Sequence, residues 1–413
     1  MALTFRGGIY LPQDKKSKEI RVFGTPKMVS IPLGGCAPTV KAGDRVEIGC
    51  VIAANDNECT VHASVSGAVI AVDENNIIIE NDFENRLSGD INPYDGSFDE
   101  LGPDEIIDTV RRAGIPEYKL IESAKGSVDT LILNCVESEP YLSAVYRLIT
   151  EASEAVLGGV KILLKALGLR AVDIAIDENM SDVIKLIRDR TKDGGYTEIR
   201  VVKSIYPQAD ERQLVYAITG QETGADQAPV DVGCVVFDAR TCIDVYNAFV
   251  YGMPLINRSI TVDGDCIGEP SVVRCPVGTS FAELIDFCGG ITGDIKYLIN
   301  GGPMTGKAVP DTEAAVTKDS VALLALSDNT DVFKHQPSSC IRCGRCVENC
   351  PMGLMPNYIA TYATDGKYHL CEKYGVASCI GCGVCSYVCP ANIPITHLCR
   401  EAKSEINKKG GEE

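Results

Sequence analysis

Cys340, Cys343, Cys346 and Cys350 are followed by Pro351, and Cys379, Cys382, Cys385 and Cys389 by Pro390, so one C-x2-C-x2-C-x3-C-P run occurs twice. Each short run of this kind wraps three thiolates around one iron–sulfur cubane and hands its fourth thiolate to another. The repeat therefore predicts two [4Fe-4S] clusters with the last cysteines exchanged. Cys340, Cys343, Cys346 and Cys389 hold cluster 1, and Cys379, Cys382, Cys385 and Cys350 hold cluster 2. Structural zinc takes four ligands per site and has no use for a third cysteine and a C-P ending repeated twice. A disulfide framework suits small secreted chains rather than one of 413 residues. Paired clusters move single electrons, but their spacing does not say from where to where.

The whole chain narrows the setting. Its length predicts two to four domains at about 100–200 residues each. Hydrophobic residues make up 45% and charged residues 23%, and no apolar run approaches the ~18 residues of a membrane span. A net charge of −18 argues against nucleic acid and anionic lipid, and suits docking onto a basic partner. The opening MALTFRGGIY is neither a secretory signal nor a basic transit peptide, so a reducing cytoplasm is expected. Nineteen cysteines less eight ligands leave eleven, read mainly as small buried hydrophobes.

Four textures follow one another. Within residues 1–103, VKAGDRVEIGCVIA, CTVHASVSGAVIAV and NIIIEND are β-rich runs split by turns, the pattern of a small hairpin sandwich. Residues 104–257 alternate helix and strand: EIIDTVRRAGI, VDTLILNC, AVYRLITEASEAVLGGVKILLKALG, AVDIAID, MSDVIKLIRDRTKD and EIRVVKSI. That alternation predicts a parallel sheet flanked by helices, with ligand sites just beyond the strands' carboxyl ends. Residues 258–332 read as a compact α+β unit, and residues 333–413 carry the cysteine runs. Between the runs, NYIATYATDGKYHLCEKYG has helical rather than hairpin spacing.

In this order the pieces closely resemble the RnfC family, the C component of the Rnf electron-transport complex, over nearly the full length. FRGGIYLPQDK is similar to the family's opening, VKAGDRVEIG with VHASVSGAV to its barrel-sandwich segment, and INGGPMTG to its SLBB signature. Asn134, Glu137, Glu139, Pro140 and Tyr141 match N-x-x-E-x-E-P-Y, and YPQADERQL resembles Y-P-Q-x-x-E-x-Q-L. The resemblance implies a multidomain α/β protein: a barrel-sandwich hybrid, an α/β domain related to the FMN- and NADH-binding subunit of complex I, an SLBB β-grasp domain and an α-helical dicluster ferredoxin domain. It also implies redox protein partners, such as ferredoxin, a flavoprotein, an Rnf-type membrane complex or a soluble reductase, and peripheral attachment on the cytoplasmic face of a membrane.

The chain departs from that family at one functional element. A glycine-rich loop whose amides hold the FMN phosphate is expected after the first central helix, and only Ala113, Gly114, Ile115 and Pro116 stand in its place. Val145 replaces an acidic residue after E-P-Y, and Ala209 and Asp210 replace the glycine of the P-Q-G segment. The shortened loop makes FMN and NADH doubtful. Glu137 and Glu139 then read either as remnants of a flavin site or as carboxylates capping the helix that starts near Tyr141.

The resulting reading is an iron–sulfur electron-transfer component, either part of a membrane complex or a soluble paralogue resembling the proline reductase-associated electron-transfer protein of amino-acid-fermenting anaerobes. The alternatives are an FMN-dependent NADH dehydrogenase subunit with a rebuilt pocket, and a scaffold with structural clusters. Among remaining residues, Cys135 is expected close to whatever the N-x-x-E-x-E-P site binds. Cys36, Cys371 and Cys399 read as packing, His62, His335, His369 and His397 show no ligand spacing, and Gly158 and Gly159 read as close packing inside a helix.

Overall fold

The computed structural model describes residues 2–12, 19–55, 60–96, 100–192, 194–328 and 336–410. A first short strand, β1 (Ile20–Val22), precedes β2 (Met28–Pro32), β3 (Ala37–Pro38), β4 (Arg45–Val46), β5 (Val51–Ala54), β6 (Thr60–His62), β7 (Gly67–Val72) and β8 (Asn76–Asn81). Strands β2 to β8 form two small sheets, ordered β2-β8-β7-β4 and β3-β5-β6, with every pairing antiparallel. Alternation along β2 and β8 turns Val29, Ile31, Ile77 and Ile79 into a shared core. This is the expected sandwich.

The central domain contains α1 (Pro103–Arg112), α2 (Tyr118–Ala124), β9 (Thr130–Cys135), α3 (Ala144–Leu167), β10 (Val172–Asp177), α4 (Ser181–Thr191), β11 (Thr197–Val202), α5 (Glu211–Thr219), β12 (Cys234–Asp238) and α6 (Ala239–Val250). Helix α1 starts where sequence chemistry puts a start: Pro103 occupies its first turn, and Glu105 accepts the Gly102 N–H at 2.8 Å. The four strands are all parallel, ordered β11-β10-β9-β12. Their carboxyl ends at Cys135, Asp177, Val202 and Asp238 consequently lie along one edge.

The third domain has β13 (Asn257–Asp263), β14 (Ser271–Pro276), α7 (Phe281–Phe287), β15 (Tyr297–Asn300), β16 (Lys307–Ala308) and β17 (Ala322–Leu326). Its sheet runs β1-β14-β13-β17-β15-β16, so its edge strand comes from residues 20–22, far away in sequence. Leu3 bridges Val202 and Ile9 bridges Tyr206, so the chain's beginning packs on the central and third domains rather than within the sandwich that follows it.

The last domain is helical: α8 (Arg345–Glu348), α9 (Pro356–Thr364), α10 (Tyr368–Glu372), α11 (Val384–Tyr387) and α12 (Ile395–Gly410). Helices α9 and α10 separate the cysteine runs, as their spacing predicts. Ile359, Ala363, Cys371, Val376, Cys399 and Ala402 form the core. Among the described residues no helix is long and apolar enough to cross a membrane.

Candidate functional site

The two cysteine runs fold alike. Arg342 and Gly381, Gly344 and Gly383, and Gly353 and Asn392 occupy equivalent places, and all six adopt positive φ. These left-handed residues bend each run around a centre, after which α8 and α11 present Cys346 and Cys385. The Arg342 N–H donates to Cys340 Sγ and the Leu354 N–H to Cys350 Sγ, each at 3.4 Å, the kind of backbone donor that tunes a cluster sulfur. One cavity is lined by Cys340, Cys343, Cys346 and Cys389. A second is lined by Cys350, Cys379, Cys382 and Cys385. Each run's last cysteine thus lines the same cavity as the other run's first three. Burial pushes Cys382 up to about 12 and Cys385 up to about 11, so without a metal's charge these groups stay protonated thiols.

The two cavities differ in their surroundings. Cys340 and Cys343 are exposed, whereas no cysteine of the second set is. Around the second set, the Tyr206 hydroxyl donates to the Cys382 carbonyl, Arg400 Nη2 to the Gly381 carbonyl at 2.6 Å, and Lys403 Nζ to the Cys379 carbonyl at 3.2 Å. From the third domain, Met304 lies beside Gly383. The Gly8 N–H donates to the Asn349 carbonyl at 3.0 Å, and a Cβ on Gly7 would come within 2.8 Å of the Cys350 carbonyl oxygen. The FRGG opening is therefore a strap against the second cavity, and its glycine lets the two backbones meet. Three domains close on this cavity, leaving the first facing solvent.

Glu137 and Glu139 sit at the carboxyl edge of the central sheet and have separate roles. Helix α3 begins at Ala144, and Glu137 Oε1 accepts the Tyr146 N–H at 2.8 Å, capping its first turn. Glu139 does not cap that helix. It reaches the third domain, where it accepts the N–H of Met304 at 2.6 Å, the N–H of Thr305 at 3.3 Å and the Thr305 hydroxyl. Gly302 permits this approach, since a Cβ there would lie 2.2 Å from Glu139 Oε2. Burial pushes the Glu139 carboxyl upward, opposed by these hydrogen bonds. Glu139→Ala would strand buried donors and is expected to lower stability by about 1–3 kcal/mol, with iron content unchanged. An anaerobic denaturant titration with iron analysis checks this; wild-type stability would remove the interdomain-clamp role.

The same edge holds Asp177, Tyr206 and Gln208, which with both glutamates and Leu11 line a cavity of only about 30 Å³. Small-molecule sites are usually about 300–1,000 Å³. The phosphate end of a flavin fares no better. The N–H groups of Ala113, Gly114 and Ile115 donate to the carbonyls of Thr109, Arg111 and Val110 at 2.9, 3.0 and 3.2 Å. All three amides are spent closing the C-terminus of α1. Lys318 fills the adjoining gap, donating to the carbonyls of Gly114 at 2.6 Å and Thr60 at 3.2 Å. His62 lies alongside, and burial together with the Lys318 charge pushes it down to about 3, so it is neutral. None of these three loop amides is free to hold a flavin phosphate.

Cys135 ends β9, directly before the cavity-lining Val136 and Glu137, and its own side chain is fully buried in the central core. Its place at the end of a two-sided parallel strand accounts for that. Cys36 and Cys371 are buried packing residues. Cys399 is buried as well, yet it lines the second thiol cavity and hydrogen bonds with Cys379, lowering that thiol to about 6. Lys318, Arg400 and Lys403 carry no motif, so nothing local in the sequence marks them. His335 lies outside the described residues.

Known domain families match the chain in the order of its four domains. The RnfC barrel sandwich hybrid domain matches residues 3–85, the Nuo51 FMN-binding domain residues 110–247, the SLBB domain residues 259–308 and the 4Fe-4S dicluster domain residues 333–390. Over 98% of its length the chain is 36% identical to the C component of the Na(+)-translocating ferredoxin:NAD(+) oxidoreductase complex of Acetobacterium woodii, covering 97% of that protein. This chain belongs to the RnfC family. The C component of the Clostridium ljungdahlii proton-translocating ferredoxin:NAD(+) oxidoreductase complex is 35% identical, with 100% of this chain and 96% of that protein aligned. Its counterpart in an ion-translocating oxidoreductase complex of Rhodobacter capsulatus is 36% identical, with 99% and 84% aligned. Among solved structures, an NAD+-reducing [NiFe]-hydrogenase in the H2-reduced state superimposes with a TM-score of 0.51 at 14% identity, covering 77% of this chain and 63% of that one. That likeness speaks for the fold alone. As an RnfC-type protein with a dicluster domain, the chain is an iron–sulfur electron-transfer protein.

Proposed function

We propose that this chain relays single electrons between a low-potential or NADH-level donor and a partner redox protein, with two [4Fe-4S] clusters and no flavin of its own. The observation that carries this reading is the pairing of two four-thiol cavities with a central domain whose loop amides are already consumed. When bound, each cluster supplies a low-potential one-electron carrier. Cys340, Cys343, Cys346 and Cys389 hold one at the surface, and Cys379, Cys382, Cys385 and Cys350 hold the other inside. Tyr206, Arg400 and Lys403 pin the backbone around the inner set, and the FRGG strap and Met304 keep water from it. The central domain then acts as a docking and insulating scaffold.

The relatives named above are components of ferredoxin:NAD(+) oxidoreductase and ion-translocating oxidoreductase complexes. An Rnf-type complex at the cytoplasmic face of a membrane is the partner this suggests, and a soluble reductase such as proline reductase the other. The match to the Nuo51 FMN-binding domain favours a second reading, in which FMN enters a rearranged pocket. Anaerobic purification with iron, sulfide and flavin quantification separates the two. About eight iron and eight sulfide per chain with flavin below a tenth of the chain concentration is expected. One FMN per chain would overturn the flavin-free reading, and fewer than four iron would overturn the relay.

A further inference from the structure

The outer cavity has a rim of unusual character for this chain. All residues from 336 to 345 are exposed, and Ile341, between Cys340 and Arg342, is 67% exposed. Of the residues lining the cavity, the only charged ones are Arg342 and Arg345. Neither guanidinium pairs with a carboxylate among the described residues, and Glu348, one turn further along α8, is the nearest acid on the same segment. Over the whole chain the charge balance is the reverse, with 57 Asp and Glu against 39 Lys and Arg. A basic rim on an acidic protein concentrates field lines where Cys340 and Cys343 open to solvent. The inner thiol set is less accessible, with no exposed cysteine and with Gly7, Tyr206 and Met304 packed beside it.

We infer that Ile341, Arg342 and Arg345 form the docking surface for a small acidic one-electron carrier protein, seated over the outer cysteine set. The inference rests on the electron-relay reading and names its port. Ile341 supplies an apolar anchor, and the two arginines steer an anionic partner and fix its register, an arrangement that governs association rate more than lasting affinity. A carrier that must leave again after one electron suits a contact of this small extent. A basic carrier would meet unpaired guanidinium groups at the point of approach and be disfavoured.

The test uses the full-length holoprotein, prepared anaerobically. Stopped-flow measurement follows its reduction by a reduced acidic ferredoxin at about 20 and about 300 mM salt, with dithionite as a small-molecule control. The wild-type rate constant is expected to fall about tenfold or more between the two salts. R342E/R345E is expected to be at least about tenfold slower at low salt and nearly independent of salt. Iron content and the dithionite rate should match wild type. Equal ferredoxin rates for wild type and variant, a salt-independent wild type, or faster reduction by a basic carrier would overturn the surface. Should the double variant lose iron, R345E and I341D, which leave Arg342 and its N–H to Cys340 in place, decide the question by the same comparison. Failure of the relay itself shows separately, as a wild-type protein lacking iron or one that dithionite cannot reduce.

Discussion

Cys389→Ser is expected to cost about four of eight iron atoms, and to cost the same four as Cys343→Ser, although Cys389 belongs to the other run. Cys389 lines the cavity of Cys340, Cys343 and Cys346, while Cys350 lines that of Cys379, Cys382 and Cys385. Removing one thiolate leaves an iron corner held by a weaker ligand, and in the exposed set water reaches that corner directly. The double variant Cys343→Ser/Cys389→Ser should therefore lose no more iron than either single variant, because both strike one cluster. Cys343→Ser/Cys350→Ser should lose about eight. Iron analysis with low-temperature EPR of the reduced proteins reads both outcomes. Additive loss in the first pair would sink the exchanged ligand sets, and four iron retained in the second would do the same.

The largest expected stability effect lies elsewhere, at Gly159 in α3. A Cβ there would come within 1.9 Å of the Cys242 carbonyl oxygen and 2.5 Å of its carbon, so α3 and α6 meet backbone to backbone. Neither partner atom is the end of a flexible side chain. Gly159→Val must therefore push the helices apart across the main core, at a cost of about 4 kcal/mol or more, and soluble protein with a normal melting transition is not expected. Gly168→Ala is the control: its φ is +73° at the end of α3, with open space around it, so it should cost only about 1 kcal/mol. Soluble yield and anaerobic denaturation midpoints compare the two. A Gly159→Val protein as stable as Gly168→Ala would mean the helix contact is not as close as described.

Much of this was legible along the chain because the signals are local. The α/β alternation of residues 104–257 marks the parallel sheet, and turn-split β runs mark the sandwich. The Gly158–Gly159 pair inside a long apolar helical pattern marks a close helix crossing, though not its partner, since Cys242 and Tyr246 stand more than eighty residues away. The run of Ala113 to Pro116 shows that a phosphate loop is too short. What occupies the gap, Lys318, is two hundred residues off and carries no pattern. Cys135 reads as a neighbour of the site by adjacency, and so it stands at the end of β9; that its side chain is buried is decided by packing. Glu137 and Glu139, two apart at a strand end, look equivalent in sequence; one caps α3 and the other crosses to the third domain, because only there do the Met304 and Thr305 donors meet it.

The sequence by itself determined the chemistry: eight cysteines at two repeated spacings, the pattern of a 4Fe-4S dicluster domain. Ligand spacing within a run is a property of a few bonds, so it survives any arrangement of the rest. Tertiary structure alone decided which cysteine set opens to solvent and which is flanked by other domains. That distinction depends on Gly7, Tyr206, Met304 and Arg400, drawn from all parts of the chain and brought together only when the domains close. Exposure belongs to the packed surface, and no residue carries it locally.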